Sequence, residues 1–193
     1  MKLKLLTAAV ISVSALLAGC SSPTISYQDP NAVNTLTTNF TQNDLRTVAQ
    51  DMSNELIQSG KMNRCKSFTI SPVKNATDQY VDTSVMTNAM ADTLTNSSAV
   101  NSVYVVSSEE MGNQTGEVDR QSSGYYDQSK TVKKGGMRGA QCRIDGKLTS
   151  DTSVGPNGKN TLVSYTFFVQ MFDVNEGAAV WRNSKNISKS KSY

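Results

Sequence analysis

The sequence predicts an α/β fold of the α+β kind, a mixed β-sheet flanked by helices and ending in a three-strand antiparallel meander. Three observations carry that expectation. Residues 41–60 and 82–97 repeat apolar side chains at helical spacing. A short strand-like run follows each of them. Residues 141–187 then alternate apolar and polar positions in three runs separated by turn signals.

The first element is TQNDLRTVAQDMSNELIQSG. Thr41 stands at the cap position and Asp44 three residues later, a capping-box arrangement. Leu45, Val48, Ala49, Met52 and Leu56 form one face, and Gly60 ends the run. Its polar face holds acids and amides rather than lysines, which argues for a core-facing helix over a membrane-surface one. In CKSFTISPVKNAT, Phe68, Ile70 and Val73 predict a strand that breaks at Pro72 and the Asn-rich turn after it. Asp82 caps a second helix with Val85, Met86, Ala89, Met90 and Leu94 on its apolar face. The methionines read as core filler. VYVV, within 101–107, predicts a short buried strand.

Residues 107–139 are polar and glycine-rich. Ser108, Glu109, Glu110 and Met111 suggest a helix start, and Tyr125 and Tyr126 suggest an anchor. A polar stretch of this length is a mobile connector or a functional loop. Beyond it Cys142, Ile144, Gly146 and Leu148 alternate, Pro156-Asn157-Gly158 turns the chain, and Val163, Tyr165, Phe167, Val169 and Met171 alternate in turn. Leu162, Phe168 and Phe172 fall on the opposite side of that strand, so burial of both faces, as in a central strand, is expected. Asn175-Glu176-Gly177 makes the next turn, Val180, Trp181 and Ile187 mark a return strand, and SKSKSY reads as an exposed polar tail.

The N-terminal segment divides the chain further. Lys2 and Lys4 precede the apolar run LLTAAVISVSALLA, which is too short to span a bilayer and has the flanks of a secretory leader. Leu17-Ala18-Gly19-Cys20 resembles the lipobox of bacterial lipoproteins. That resemblance implies cleavage before Cys20, a thioether-linked diacylglycerol on its sulfur and an acylated N-terminus, the several chains that stable anchoring requires. Ser21 follows, not the aspartate that retains lipoproteins in the inner membrane. The expected organisation is a leader over 1–19, a lipidated flexible tether over 20–40 and one globular domain over 41–193. The tether, SSPTISYQDPNAVNTLTTNF after the cysteine, reaches at most about 70 Å.

Charge and residue usage exclude several functions. With the leader's two lysines gone, 17 basic residues face 16 acidic ones, a balance that gives no nucleic-acid footprint. The chain has no histidine, hence no histidine base and no histidine metal ligand. GGMRG lacks the spacing and the lysine of a phosphate loop. No cofactor and no metal are expected. The acids are scattered, so a carboxylate enzyme is the weakest reading and a non-catalytic role is expected. Cys65 and Cys142 would sit in an oxidising compartment, where a leftover pair is a candidate disulfide; the alternative is two small buried side chains that never meet.

The lipobox cysteine, the tether, the helix and the strand entering ISPVKNAT, with VQMFDVNEGAAVW near the end, together resemble the LpoB-type lipoprotein activators of penicillin-binding proteins. The matching positions are Val73, Asn75 and Thr77, and Asp173 through Trp181, and the resemblance spans roughly residues 41–188. It implies a fold similar to the N-terminal domain of TolB. It also implies an outer-membrane, periplasm-facing lipoprotein that stimulates a bifunctional peptidoglycan synthase by direct contact. An assembly or structural lipoprotein of the same fold, serving another envelope machine, is the alternative. Alternating membrane-spanning hairpins are missing, which argues against a pore. Tyr125, Tyr126 and Arg138 are the candidate partner contacts, since aromatics and arginine dominate binding hot spots.

Overall fold

The computed structural model describes residues 37–98, 102–105, 108–156 and 158–192. Helix α1 spans Gln42–Gln58. A 3-10 turn at Lys61–Arg64 leads into β1, Ser67–Ile70, and β2, Lys74–Ala76. Helix α2 (Ser84–Thr95), β3 (Ser102–Val105) and α3 (Ser108–Gln121) follow. The long strands β4 (Cys142–Val154), β5 (Asn160–Asp173) and β6 (Ala178–Ser192) close the chain. The sheet runs β3-β1-β4-β5-β6, with β2 beside β4 in line with β1. β1 is parallel to both neighbours, β2 is parallel to β4, and β4-β5-β6 is the antiparallel meander.

The first helix starts where its sequence says it should, and the second starts one residue later than a cap at Asp82 predicts. Thr41 accepts from the Asp44 N–H while the Asp44 carboxylate accepts from the Thr41 N–H at 2.8 Å, so the capping box is complete. Helix α2 begins at Ser84, whose N–H is taken by Asp82 Oδ1 at 3.0 Å. Thr83 holds the cap position but its hydroxyl is already spent. It donates to the Val73 carbonyl at 2.6 Å, and Thr87 Oγ1 accepts from the Val73 N–H at 3.0 Å. These two threonines satisfy the backbone where Pro72 interrupts the β1–β2 edge, which is why a buried break there is tolerated.

Leu45, Val48, Ala49, Met52 and Leu56 of α1 join Met86, Ala89, Met90 and Leu94 of α2 on one face of the sheet. From the strands, Phe68, Ile70, Cys142, Ile144, Leu148, Val163, Tyr165, Phe167, Val169 and Met171 meet them. Each of the larger side chains contributes about 1.5–3 kcal/mol by leaving water. Gly146 belongs to this packed side. A Cβ there would lie 2.8 Å from Val73 Cγ2 and 3.0 Å from the Phe167 ring, so close packing of those side chains requires glycine.

Four expectations are revised. β5 is an interior strand, but only one of its faces is packed under helices; Leu162, on the other, is 42% exposed. Aromatic residues on both sides looked like double burial, whereas Phe168 and Phe172 are half-covered on an open face. The stretch after Pro72 pairs with β4 over Lys74–Ala76 before it turns. Residues 108–121 are a full helix, not loop. The polar C-terminus continues β6 to Ser192, because β5 offers a register partner at every step. Its alternation is of lysine and serine, and hydrophobicity could not reveal it.

Residues assigned to the tether also touch the domain. Phe40 stacks on Tyr165, ring centroids 4.5 Å apart, and the Tyr165 hydroxyl donates to the Thr38 carbonyl at 3.4 Å. Lys189 Nζ reaches the Asn39 carbonyl at 3.1 Å. Among the described residues no helix is long and apolar enough to cross a membrane. Cys20, the leader and most of the tether lie outside the described residues.

Candidate functional site

Strand alternation puts the core on one side of the sheet and a second set of side chains on the other. Across β2, β4, β5 and β6, direct register partners share a face, so Lys74 stands beside Lys147, and Asp145 beside Gln170 and then Arg182. These residues, with Ser71, Pro72, Gly146, Phe168 and Val169, line an open cleft of about 440 Å³. Phe168, on the strand between Lys147 and β6, is the aromatic residue of its lining. Arg143 lies at the next rung, paired with Asp145 at 2.9 Å and 5.4 Å from the centre of the Phe172 ring.

Two opposed lysines on neighbouring strands repel one another, a pairing that sheets ordinarily avoid. Among the described residues Lys74, Lys147 and Arg182 take part in no ion pair. The result is a cationic cleft with an aromatic residue in its lining. Sequence reading missed this surface, because its residues come from four strands and each alone looks like an ordinary solvent-facing position. The one available signal was the polar half of the strand alternation, which sequence analysis left unused.

The contacts named from sequence lie elsewhere, in the segment after α3. Tyr125 is 96% exposed. Tyr126 is held back against α3, its hydroxyl accepting from Arg120 Nη1 and its ring 5.3 Å from that guanidinium. Glu117 grips the same guanidinium at 2.7 Å, and hydrogen bonds from Gln121 and Arg120 hold the Glu117 carboxyl below its usual range. Gln121 Oε1 accepts from the Val132 N–H at 3.0 Å, Gln128 donates to the carbonyls of Gln121, Ser123 and Tyr126, and Lys134 pairs with Asp119 at 2.7 Å. The segment folds back on α3 through side-chain amides and charges, with Val118 the one buried apolar residue of the helix among the described residues. Arg138 is exposed, and no hydrogen bond, ion pair or ring contact links it to either tyrosine.

Cys65 and Cys142 are joined in the structure, their Cα atoms 6.0 Å apart. They sit at the head of the β1–β4 pairing, where Lys66 N–H donates to Gln141 Oε1 at 2.7 Å and Gln141 N–H to the Ser67 carbonyl at 3.0 Å. With Asp173 they form the one cluster of metal-type donors among the described residues, all within 4.8 Å. The Glu176 N–H, with help from Arg64 and the Asn175 N–H and against some burial, holds the Asp173 carboxyl below its usual range. That carboxylate shapes the turn at residues 173–177.

The two motifs behind the family resemblance are both structural. Asn75 donates to the carbonyls of Gln79 and Val81 and accepts from the Thr77 N–H, so it staples the loop between β2 and α2. Asp173 Oδ1 accepts from the N–H groups of Asn175 and Glu176, Gly177 turns at φ 65°, and Arg64 pairs with Asp173 and Glu176 at 3.2 and 2.5 Å. A family model described as the peptidoglycan-synthase activator LpoB matches residues 44–187, covering both motifs, β1 to β5 and the first part of β6. The chain belongs to the LpoB family.

Solved LpoB structures are similar at low identity. The LpoB C-terminal domain from Salmonella enterica shares 14% identity, covering 75% of this chain and 98% of that one, with a TM-score of 0.45. The Escherichia coli domain shares 13%, with the same coverages and a TM-score of 0.46. Lipoprotein GNA1162 from Neisseria meningitidis shares 16%, covering 64% of this chain and 83% of that one, with a TM-score of 0.41. No curated protein matches in sequence.

Proposed function

We propose that this LpoB-family chain is a lipid-anchored, periplasm-facing outer-membrane protein that binds a bifunctional peptidoglycan synthase and stimulates it. The observation that carries the reading is the family match over residues 44–187, from α1 into β6, to a family described as peptidoglycan-synthase activators. Two further points support it. Leu17-Ala18-Gly19-Cys20 supplies an anchor site ahead of a polar tether. The chain also lacks histidine, the commonest general base and metal ligand. A tethered domain without chemistry of its own acts by binding, shifting a partner toward an active state that the partner already samples.

The test adds the chain from Ser21 onward to a purified bifunctional synthase of the same organism and follows glycan polymerisation and crosslinking. Stimulation with measurable binding is expected. Folded protein that neither binds nor changes either rate refutes the reading. Tyr125, Tyr126 and Arg138 enter as candidate contacts, and a variant with all three changed to Ser separates a loop contact from a contact elsewhere. The anchor is tested by labelling with a fatty-acid analogue: the wild type takes up label, and Cys20→Ser takes up none and leaves the outer-membrane fraction.

A further inference from the structure

We infer that the cationic cleft on the open face of the sheet docks an acidic segment of the partner synthase. The inference rests on the proposed function for the identity of the partner. Its ground, however, is the charge pattern of this chain.

Charge placement is the first strand of the argument. Lys147 on β4 has Lys74 directly beside it on β2, and neither has an acid within ion-pair distance among the described residues. Arg182, two strands away on β6, is likewise without one. Asp145 is the acid in the cleft, and Arg143 already engages it. The other side of the same sheet shows what this chain does with cations it means to neutralise. There Lys185 and Lys189 each meet an aspartate of α1 at 2.5 Å. An opposed lysine pair costs stability, and a rule broken without internal compensation marks a place where an external group supplies it.

Shape is the second. From β2 to β6 the cleft spans three strand spacings, about 14 Å, wide enough for one extended or helical segment. Phe168 stands on the strand between those that carry Lys147 and Arg182 and gives an apolar side chain of that segment something to cover. Charges at the walls and an aromatic residue between them are the arrangement of a protein-binding groove, where the rim steers and the centre anchors. A membrane surface would instead favour a flat array of cations with exposed apolar tips.

The experiment compares the chain from Ser21 with Lys74→Glu/Lys147→Glu/Arg182→Glu, first checking that far-ultraviolet dichroism and the thermal transition are retained. Should the reversed variant misfold, Lys74→Gln/Lys147→Gln replaces it, since an uncharged amide removes the cation and stays polar. Binding to the purified synthase is measured at low and at physiological ionic strength, beside vesicles of phosphatidylglycerol and phosphatidylcholine. The wild type is expected to bind the synthase more weakly as salt rises. The variant is expected to bind at least about ten-fold more weakly, with a flatter salt dependence. If the wild type binds and the variant binds equally, with the same salt dependence, the cleft is not the docking site while the proposed function stands. A loss confined to the vesicles also overturns the inference and assigns the cleft to lipid. A wild type that shows no binding and no stimulation removes the proposed function and this inference with it.

Discussion

At the scale of single residues, the informative positions are those where one atom decides. Gly146 has no room for a methyl group between Val73 and Phe167. Gly146→Ala is expected to lower unfolding free energy by about 1–3 kcal/mol, read by urea denaturation, as overpacked cores do. Lys147 presents the reverse case. Lys147→Gln removes a repulsion from Lys74, so stability is expected to hold or to rise by about 0.2–1 kcal/mol. A clear loss of stability would give Lys147 a structural role instead. Both residues were visible in the sequence, one as a glycine in an alternating run and one as a solvent-facing lysine. Neither its neighbour across the sheet nor the space around it was visible, because those depend on residues about seventy positions away, at Val73 and Lys74.

At the scale of elements, α1 and β6 are locked by a polar seam. Asp44 meets Lys189, Asp51 meets Lys185, and Glu55 accepts from Asn183 at 2.6 Å, running antiparallel along the helix. The end rung is the most shielded, with side-chain exposures of 13% for Lys189 and 11% for Asp44. Burial works to raise the Asp44 carboxyl, but the hydrogen bonds from Lys189 and from the backbone and hydroxyl of Thr41 outweigh it and hold the pKa below the ordinary value of 3.8. A carboxyl lowered by folding stabilises the native state above its unfolded pKa, and that contribution fades as pH falls from there through the folded value. The wild type should therefore lose stability more steeply than Asp44→Asn below about pH 4. Equal acid limbs in the two proteins would show that the carboxylate is not linked to folding. At neutral pH, Lys189→Ala should cost about 1–3 kcal/mol, between the values for exposed and buried pairs. The capping box that starts this seam was legible from Thr41 and Asp44, since both partners lie within one turn. The lysines were not, because an alternating lysine-serine tail has no apolar signal and becomes a strand only when β5 lies beside it.

On the scale of the whole molecule, the sheet joins two chain regions of different character. β1, β3 and the helices form a parallel, crossover-rich half, and β4-β5-β6 a local meander. Cys65 and Cys142 meet at the junction, 77 residues apart in sequence. A bridge there closes the loop that carries β1, β2, α2, β3 and α3, which on the chain-entropy model restricts the unfolded state by about 4–5 kcal/mol. Alkylation of the unfolded, unreduced protein should leave both thiols unlabelled, and reduction should lower the denaturation midpoint. Full labelling before reduction would mean no bridge. Thr38, Asn39 and Phe40, just before α1, touch Tyr165 of β5 and Lys189 of β6, so these residues pack on the meander.

The sequence by itself determined what short-range chemistry determines. It set the first helix and its cap, the apolar faces of both core helices, the three closing strands and their turns, and the motifs at Val73-Asn75-Thr77 and Asp173–Trp181 that carry the family. Each depends on residues within one turn or one strand, where periodicity and turn propensity act directly. Only the tertiary structure decided which face of the sheet the helices cover, because aromatic residues occupy both faces of β5 and periodicity cannot rank them. It alone decided that three cations from β2, β4 and β6, without an ion pair among the described residues, share one cleft, because strand neighbours are set by long-range pairing and not by distance along the chain.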